Sequence, residues 1–226
     1  MEAVVCMDEG CAHRDYNGEG KLCMAGSGIL FPAASEEDRV KKVAELFLSI
    51  GVTDVTSHEG CGAAGLAYKR DFPGTAPTAE QIEAYAKDWA RKVAEEIGRM
   101  GHQEKYDHIA AEEMERPKGF HNARVVYYDA IGGFNPNKEV GLPMGFVISR
   151  KFVSSGYAQE ELKVATSIAF SHHGFGDLFS SELPFIIIPM ANTNDELANL
   201  KNEIDGALKE NKDYGDGKIK IEGLLI

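Results

Sequence analysis

Two short apolar runs end in side chains that can hold a metal. Ala3-Val4-Val5 runs into Cys6-Met7-Asp8, and Val52-Thr53-Asp54-Val55-Thr56 runs into Ser57-His58-Glu59-Gly60-Cys61-Gly62. The thiolates of Cys6 and Cys61 and the imidazole of His58 make three of the four ligands of a tetrahedral zinc, with the fourth position left to water. His58 and Cys61 lie three apart, so a tight turn at Glu59-Gly60 can aim both at one ion, and glycine at 60 and 62 permits such a turn. Cys6 arrives from a different strand, so the site would also tie two elements together, and with one position left to water an open catalytic site is expected rather than a closed structural one. A water at the fourth position would have its pKa lowered toward roughly 7, which supplies hydroxide without a strong base. Asp8, two positions beyond Cys6, is the candidate catalytic residue, a carboxylate able to orient that hydroxide through a hydrogen bond. Singly, Cys6 and Cys61 read as small buried residues and His58 as a capping histidine. Four chemically matched positions at two strand ends favour the metal.

The elements that must position these residues are legible around them. Ser35 reads as an N-cap with Glu36, Glu37 and Asp38 in the first turn. Val40, Val43, Ala44, Phe47 and Leu48 then form one apolar stripe, and Gly51 ends the helix. Strand, helix, strand in this order predicts a parallel pair, with Cys6 and Cys61 on one rim of the sheet. A helix is expected from Ala63, and a longer one from Thr78 with Gln81 completing a capping box. Ile82, Tyr85, Ala86, Trp89, Val93 and Ile97 are its buried stripe, with Trp89 in the core.

The first seventy residues resemble the β-class carbonic anhydrases. That family carries a strand ending Cys-x-Asp-Ser-Arg and, some fifty residues later, a strand ending His-x-x-Cys-Gly. Cys6-Met7-Asp8 and His58-Glu59-Gly60-Cys61-Gly62 match both pieces, and Ala25-Gly26-Ser27-Gly28 looks like the family's Ala-Gly-Asn segment. The resemblance implies zinc held by Cys6, His58 and Cys61, reversible hydration of carbon dioxide to bicarbonate, and a homodimer or higher homo-oligomer. Three departures stand beside it. Glu9-Gly10 replaces Ser-Arg, Leu22-Cys23-Met24 stands where an arginine usually precedes Asn-Ala-Gly, and no helical arm precedes the first strand. In the family the Asp–Arg pair holds the carboxylate off the metal, and without it the Asp can become the fourth ligand. Arg14 is the sequence candidate to hold Asp8 in place of the missing arginine.

The second half carries strands at Ala123 to Asp129, Gly145 to Phe152, Pro184 to Pro189 and Lys218 to Glu222, with helices from Ala158 to Ser171 and Asn194 to Lys209. Gly132 to Asn137 is turn chemistry, where the resembled family commonly has a turn and a hairpin. Pro184 to Pro189 should be the buried central strand. No internal repeat is visible. The expected architecture is a single α/β domain over residues 1–226, with a mainly parallel sheet of at least five strands flanked by helices. Its first seventy residues carry the metal motifs, and residues 120–226 are an elaboration.

The remaining histidines and cysteines read more plainly. His102, His108 and His121 are expected as solvated side chains around the charged segment 103–115. His172 and His173 are adjacent, which suits capping or an interface better than joint ligation. Cys6, Cys11, His13 and Cys23 could be grouped as metal ligands, but no paired Cys-x-x-Cys spacing supports this, so polar lining of the cleft is the preferred reading, with a redox-sensitive thiol at Cys11 as the alternative. The stretch from Gly10 to Gly20 is expected to be a loop.

A chain of 226 residues with 43% apolar and 27% charged residues is an ordinary globular protein able to bury a substantial core. Its net charge of −12 argues against nucleic acid or an anionic membrane as partner. No apolar run is long enough to span a bilayer, and no secretory signal is expected. Four cysteines do not form a disulfide scaffold, so a reducing cytoplasm is the expected setting. Three functions stay open at this level. The first is a carbonic anhydrase, or a zinc enzyme of the same fold acting on another small cumulene such as carbon disulfide or carbonyl sulfide. The second is a non-catalytic zinc protein with Asp8 as fourth ligand. The third is a thiol redox protein using Cys6, Cys11 and Cys23.

Overall fold

The computed structural model describes residues 3–14, 20–136, 141–171 and 173–226. The chain divides into two compact units, residues 1–118 and 119–226. Residues 15–19 of the expected loop, Asn137 of the expected turn, and His172 lie outside the described residues. Among those described, no helix is long and apolar enough to cross a membrane.

The first unit is built on a four-stranded sheet. Its elements are β1 (Ala3–Val5), α1 (Glu9–Ala12), β2 (Lys21–Cys23), α2 (Glu36–Ser49), β3 (Asp54–His58), α3 (Gly62–Asp71), α4 (Ala79–Arg99) and β4 (Lys105–Ile109). The strands lie in the order β2-β1-β3-β4, every pair parallel. Val4 pairs with Val55, so the Cys6 and His58 ends of β1 and β3 reach the same rim, as the two motifs require. Val4, Val5, Leu22 and Val55 are buried in the sheet, and Val43, Phe47, Trp89, Val93 and Ile97 bury the helical stripes.

Both helix starts follow the expected chemistry. Ser35 Oγ accepts from the Asp38 amide at 3.1 Å, and Thr78 and Gln81 close a reciprocal capping box. Two strands were not legible. Lys21-Leu22-Cys23 is only three residues long, and Lys105-Tyr106-Asp107-His108-Ile109 carries charged and aromatic residues on an edge strand. Part of the expected loop is the short helix α1, with Asp8 as its N-cap.

The second unit contains β5 (Val125–Asp129), β6 (Gly145–Ile148), α5 (Ser155–Ala169), β7 (Phe185–Ala191), α6 (Asn194–Leu208), α7 (Lys212–Gly215), β8 (Ile219–Ile221) and β9 (Leu224–Leu225). Its sheet runs β6-β5-β7-β8, again all parallel, with β9 continuing the β8 side of β7. β5 and β6 are therefore parallel neighbours and not arms of a hairpin. The long apolar strand β7 is interior to its sheet, as its composition implies.

The α/β class and the parallel pairing hold, but the strands form two sheets where one was expected. The two sheets share one plan. In each, the second strand of the unit lies outside the first, and the third and fourth follow on the other side. The first strands also match, Val4-Val5-Cys6-Met7-Asp8 against Val125-Val126-Tyr127-Tyr128-Asp129. In both, the aspartate Oδ1 accepts from the amide two residues on, Gly10 at 2.8 Å and Ile131 at 3.0 Å. No internal repeat is visible in the sequence, yet the two sheets use the same strand order. Sequence self-similarity is hidden because only two valines and an aspartate persist at this strand.

Candidate metal centre

Cys6, His58 and Cys61 come together at the carboxyl rim of the first sheet, their donor atoms all within 4.8 Å of one another. A tetrahedral zinc with arms of ~2.3 Å would hold two sulfurs about 3.8 Å apart, so closing on an ion needs a movement of an ångström or less. All three residues are buried. His58 Nδ1 faces the Glu59 carbonyl oxygen at 2.9 Å, which fixes the proton on Nδ1 and leaves Nε2 as the donor. Among the described residues Nε2 is buried with no hydrogen-bond partner. A buried imidazole nitrogen beside two sulfurs and without a partner fits a metal ligand, and the residues present suit the ion.

The turn Ala25–Gly28 closes over the sulfurs. Gly26 donates its amide to Cys6 Sγ at 3.2 Å, and a Cβ on Gly26 would stand 3.4 Å from Cys61 Sγ and 2.6 Å from Ile29. Gly26 and Ser27 both have φ of 52°, a left-handed pair that glycine adopts without strain and serine does not. Ser27 is held there by its Oγ donating to the Thr56 carbonyl at 2.6 Å and by Trp89 Nε1 donating to the Ser27 carbonyl at 3.2 Å. Trp89 thus belongs to the core, as expected, and also clamps this turn.

Without an ion the three donors share protons unequally. The Cys6 thiol is pushed up, first by its hydrogen bond to Cys61 and then by burial. Cys61 is lowered by the same hydrogen bond, against burial, with help from the Ala64 and Ala63 amides at the start of α3. Burial would depress His58, but the charge of Cys6, its hydrogen bond and the charge of Asp8 together outweigh it and raise the imidazole to about 9.

Asp8 lies beside this centre, buried, and its partner is the main surprise. Arg116 Nε donates to Asp8 Oδ1 at 2.9 Å, with both side chains almost wholly enclosed. Arg14, the residue expected to hold Asp8, instead pairs with Glu113 at 3.0 Å. That expectation is corrected: the arginine comes from 108 positions downstream. The signal was present in negative form, since Gly10 stands where the resembled family has its arginine.

The other candidates sort as follows. Cys11 is fully buried and its thiol is pushed up by burial and by Asp8, which makes it a poor redox nucleophile. All four cysteines are thiols and none is in a disulfide. His102 is exposed, as expected. His108 sits on β4 with Nδ1 2.8 Å from Ser57 Oγ and Nε2 3.4 Å from Glu83, and His121 is buried, so neither is a solvated side chain.

In the second unit, counting along the paired strands places Tyr127, Pro189 and Asn192 where the first has Cys6, His58 and Cys61. Only the aspartate, Asp129, recurs. The chain matches no protein-family model, no curated protein and no solved structure.

Proposed function

We propose that this protein is a zinc-dependent carbonic anhydrase-like lyase, catalysing the reversible hydration of carbon dioxide to bicarbonate. One observation carries the reading: a two-sulfur, one-nitrogen donor set lies beside a buried aspartate that an arginine holds by its Oδ1. That donor set suits zinc among common ions. Zinc, when bound, lowers the pKa of a water toward neutrality and so makes hydroxide available near pH 7. The chain's own residues do the rest. The Glu59 carbonyl holds His58 in the ligating tautomer. Asp8 accepts the hydrogen bond of the attacking hydroxyl and turns its lone pair toward the carbon of carbon dioxide. The hydroxyl adds to carbon dioxide to give bicarbonate, and the proton released from water passes to solvent.

The arginine on Asp8 favours this reading over a closed, non-catalytic zinc protein, and the burial of Cys11 favours it over thiol redox chemistry. Buried thiols fit a reducing, cytoplasmic setting, and the resemblance adds a homo-oligomer to the proposal. The test measures metal content and carbon dioxide hydration on one sample from about pH 6.5 to 9. Zinc near one per chain, with a rate that climbs with pH, is the expected result. Asp8→Ala should keep the metal and slow hydration by about a hundredfold. Zinc without hydration at any pH would overturn the enzyme, and no zinc would overturn the metal centre.

A further inference from the structure

A second cluster of reactive side chains lies at the carboxyl rim of the first sheet. Successive side chains of a strand point to opposite faces, so Ser57 leaves β3 on the face opposite His58. Ser57 pairs with His108 across the parallel strands β3 and β4, and its Oγ lies 2.8 Å from His108 Nδ1. The other ring nitrogen, Nε2, lies 3.4 Å from Glu83 Oε1 in the first turns of α4. Lys87, one turn further along α4, pairs with the same carboxylate oxygen at 2.5 Å. The Tyr106 hydroxyl lies 3.1 Å from Ser57 Oγ. One proton arrangement satisfies every member: Tyr106 donates to Ser57, Ser57 donates to Nδ1, and Nε2 donates to Glu83. Burial, and then the charge of Lys87, hold the His108 imidazole below its ordinary pKa, so it is neutral near pH 7 and Nδ1 can accept a proton.

We propose that Ser57, His108 and Glu83 form a second catalytic centre, a serine nucleophile with its base and the carboxylate that orients the base, which hydrolyses small esters. The same constellation of roles recurs on unrelated folds. This centre needs no metal and stands apart from the reading above. Ser57 Oγ adds to the ester carbonyl carbon as its proton passes to His108 Nδ1. The oxyanion then takes the hydrogen bond of Tyr106, whose ring lies under the Arg91 guanidinium at 5.7 Å. As the adduct collapses, the bond from carbon to the alkoxide oxygen breaks, and the alkoxide takes the proton from His108 and leaves as an alcohol. Water adds to the acyl-serine, its proton passing to Nδ1 and on to Ser57 Oγ as the carboxylic acid departs. Glu83 is a positioning residue that keeps the resting proton on Nε2. Ser57 is only 7% exposed, so a slender acyl group is what reaches it.

The test exposes the full chain to phenylmethylsulfonyl fluoride, with and without the zinc chelator dipicolinate, and locates the adduct by intact mass and peptide mapping. The expected result is a sulfonyl adduct on Ser57 that forms at the same rate with the chelator present. His108→Ala should slow its formation by about a hundredfold or more, and Glu83→Gln should slow it too, because an amide can hold the wrong tautomer. Chelator-treated protein should hydrolyse p-nitrophenyl acetate with an initial burst of nitrophenolate that Ser57→Ala lacks. His108→Ala, on an edge strand, keeps the proposal testable if Ser57→Ala does not fold. No adduct on Ser57 of the unaltered chain, or one formed as fast in His108→Ala, would overturn this centre and leave the metal reading untouched. Ester hydrolysis abolished by the chelator would assign that activity to the metal centre and overturn the inference as well. A chain that binds no zinc would overturn the metal reading and leave this centre standing.

Discussion

At the scale of single residues, Cys6, His58 and Cys61 form a buried cluster that could hold a metal ion and that shares its protons unequally. Cys6 is pushed up and His58 raised to about 9, so near neutral pH an ion must displace protons from both. Cys61, already lowered, gives up its proton most readily. The sign follows: lower pH restores the competing protons and weakens binding, and higher pH strengthens it, less steeply once His58 has lost its own proton near 9 because Cys6 still holds its own. Zinc affinity, measured by chelator competition at pH 6.5, 7.5 and 8.5, should rise by more than roughly tenfold per pH unit. A flat profile would mean that the donors are already deprotonated in the free protein. The three donors and Asp8 were legible because each closes a strand or turn within its own short motif. Arg116 was not, because Glu115-Arg116-Pro117 has no motif of its own. Only the unfilled position at Gly10 spoke for it.

At the scale of elements, helix starts and parallel strands were legible where local chemistry decides them, as at Ser35, at Thr78 with Gln81, and in Phe185–Ala191. The strands β2 and β4 escaped because short strands flanked by stronger neighbours take their conformation from the sheet. The helix α4 does more than cover that sheet. Through Trp89 it satisfies the carbonyl of Ser27, the one non-glycine residue with positive φ among those described. Trp89→Phe would leave that buried acceptor without its donor and cost about 1–3 kcal/mol, readable as a lower denaturation midpoint with an unchanged slope. An unchanged midpoint would show that the turn over the sulfurs holds itself.

At the scale of the whole molecule, one strand plan is used twice and chemistry is retained once. The second rim has Tyr127, Pro189 and Asn192 at the positions of the metal donors, and Tyr127 and Tyr128 are fully buried there. The chain should therefore take up one zinc, not two, and Cys6→Ser should bring it to none. Plasma emission spectrometry on both proteins decides this, and residual metal in Cys6→Ser would reveal a second site. The repeat was illegible in the sequence because a sheet is specified by apolar alternation and register, which many residues satisfy, whereas a metal donor set tolerates few.

Every residue given a part in the chemistry, from Cys6 to Arg116, lies before the boundary at 118. Chains are made from the amino terminus at about 5–20 residues per second, and domains fold as units in that order. The donor triad, Asp8 and the arginine that holds it are all synthesised before Gly119 is added. On the proposed zinc reading, the centre is complete for metal uptake while the rest of the protein is still being translated.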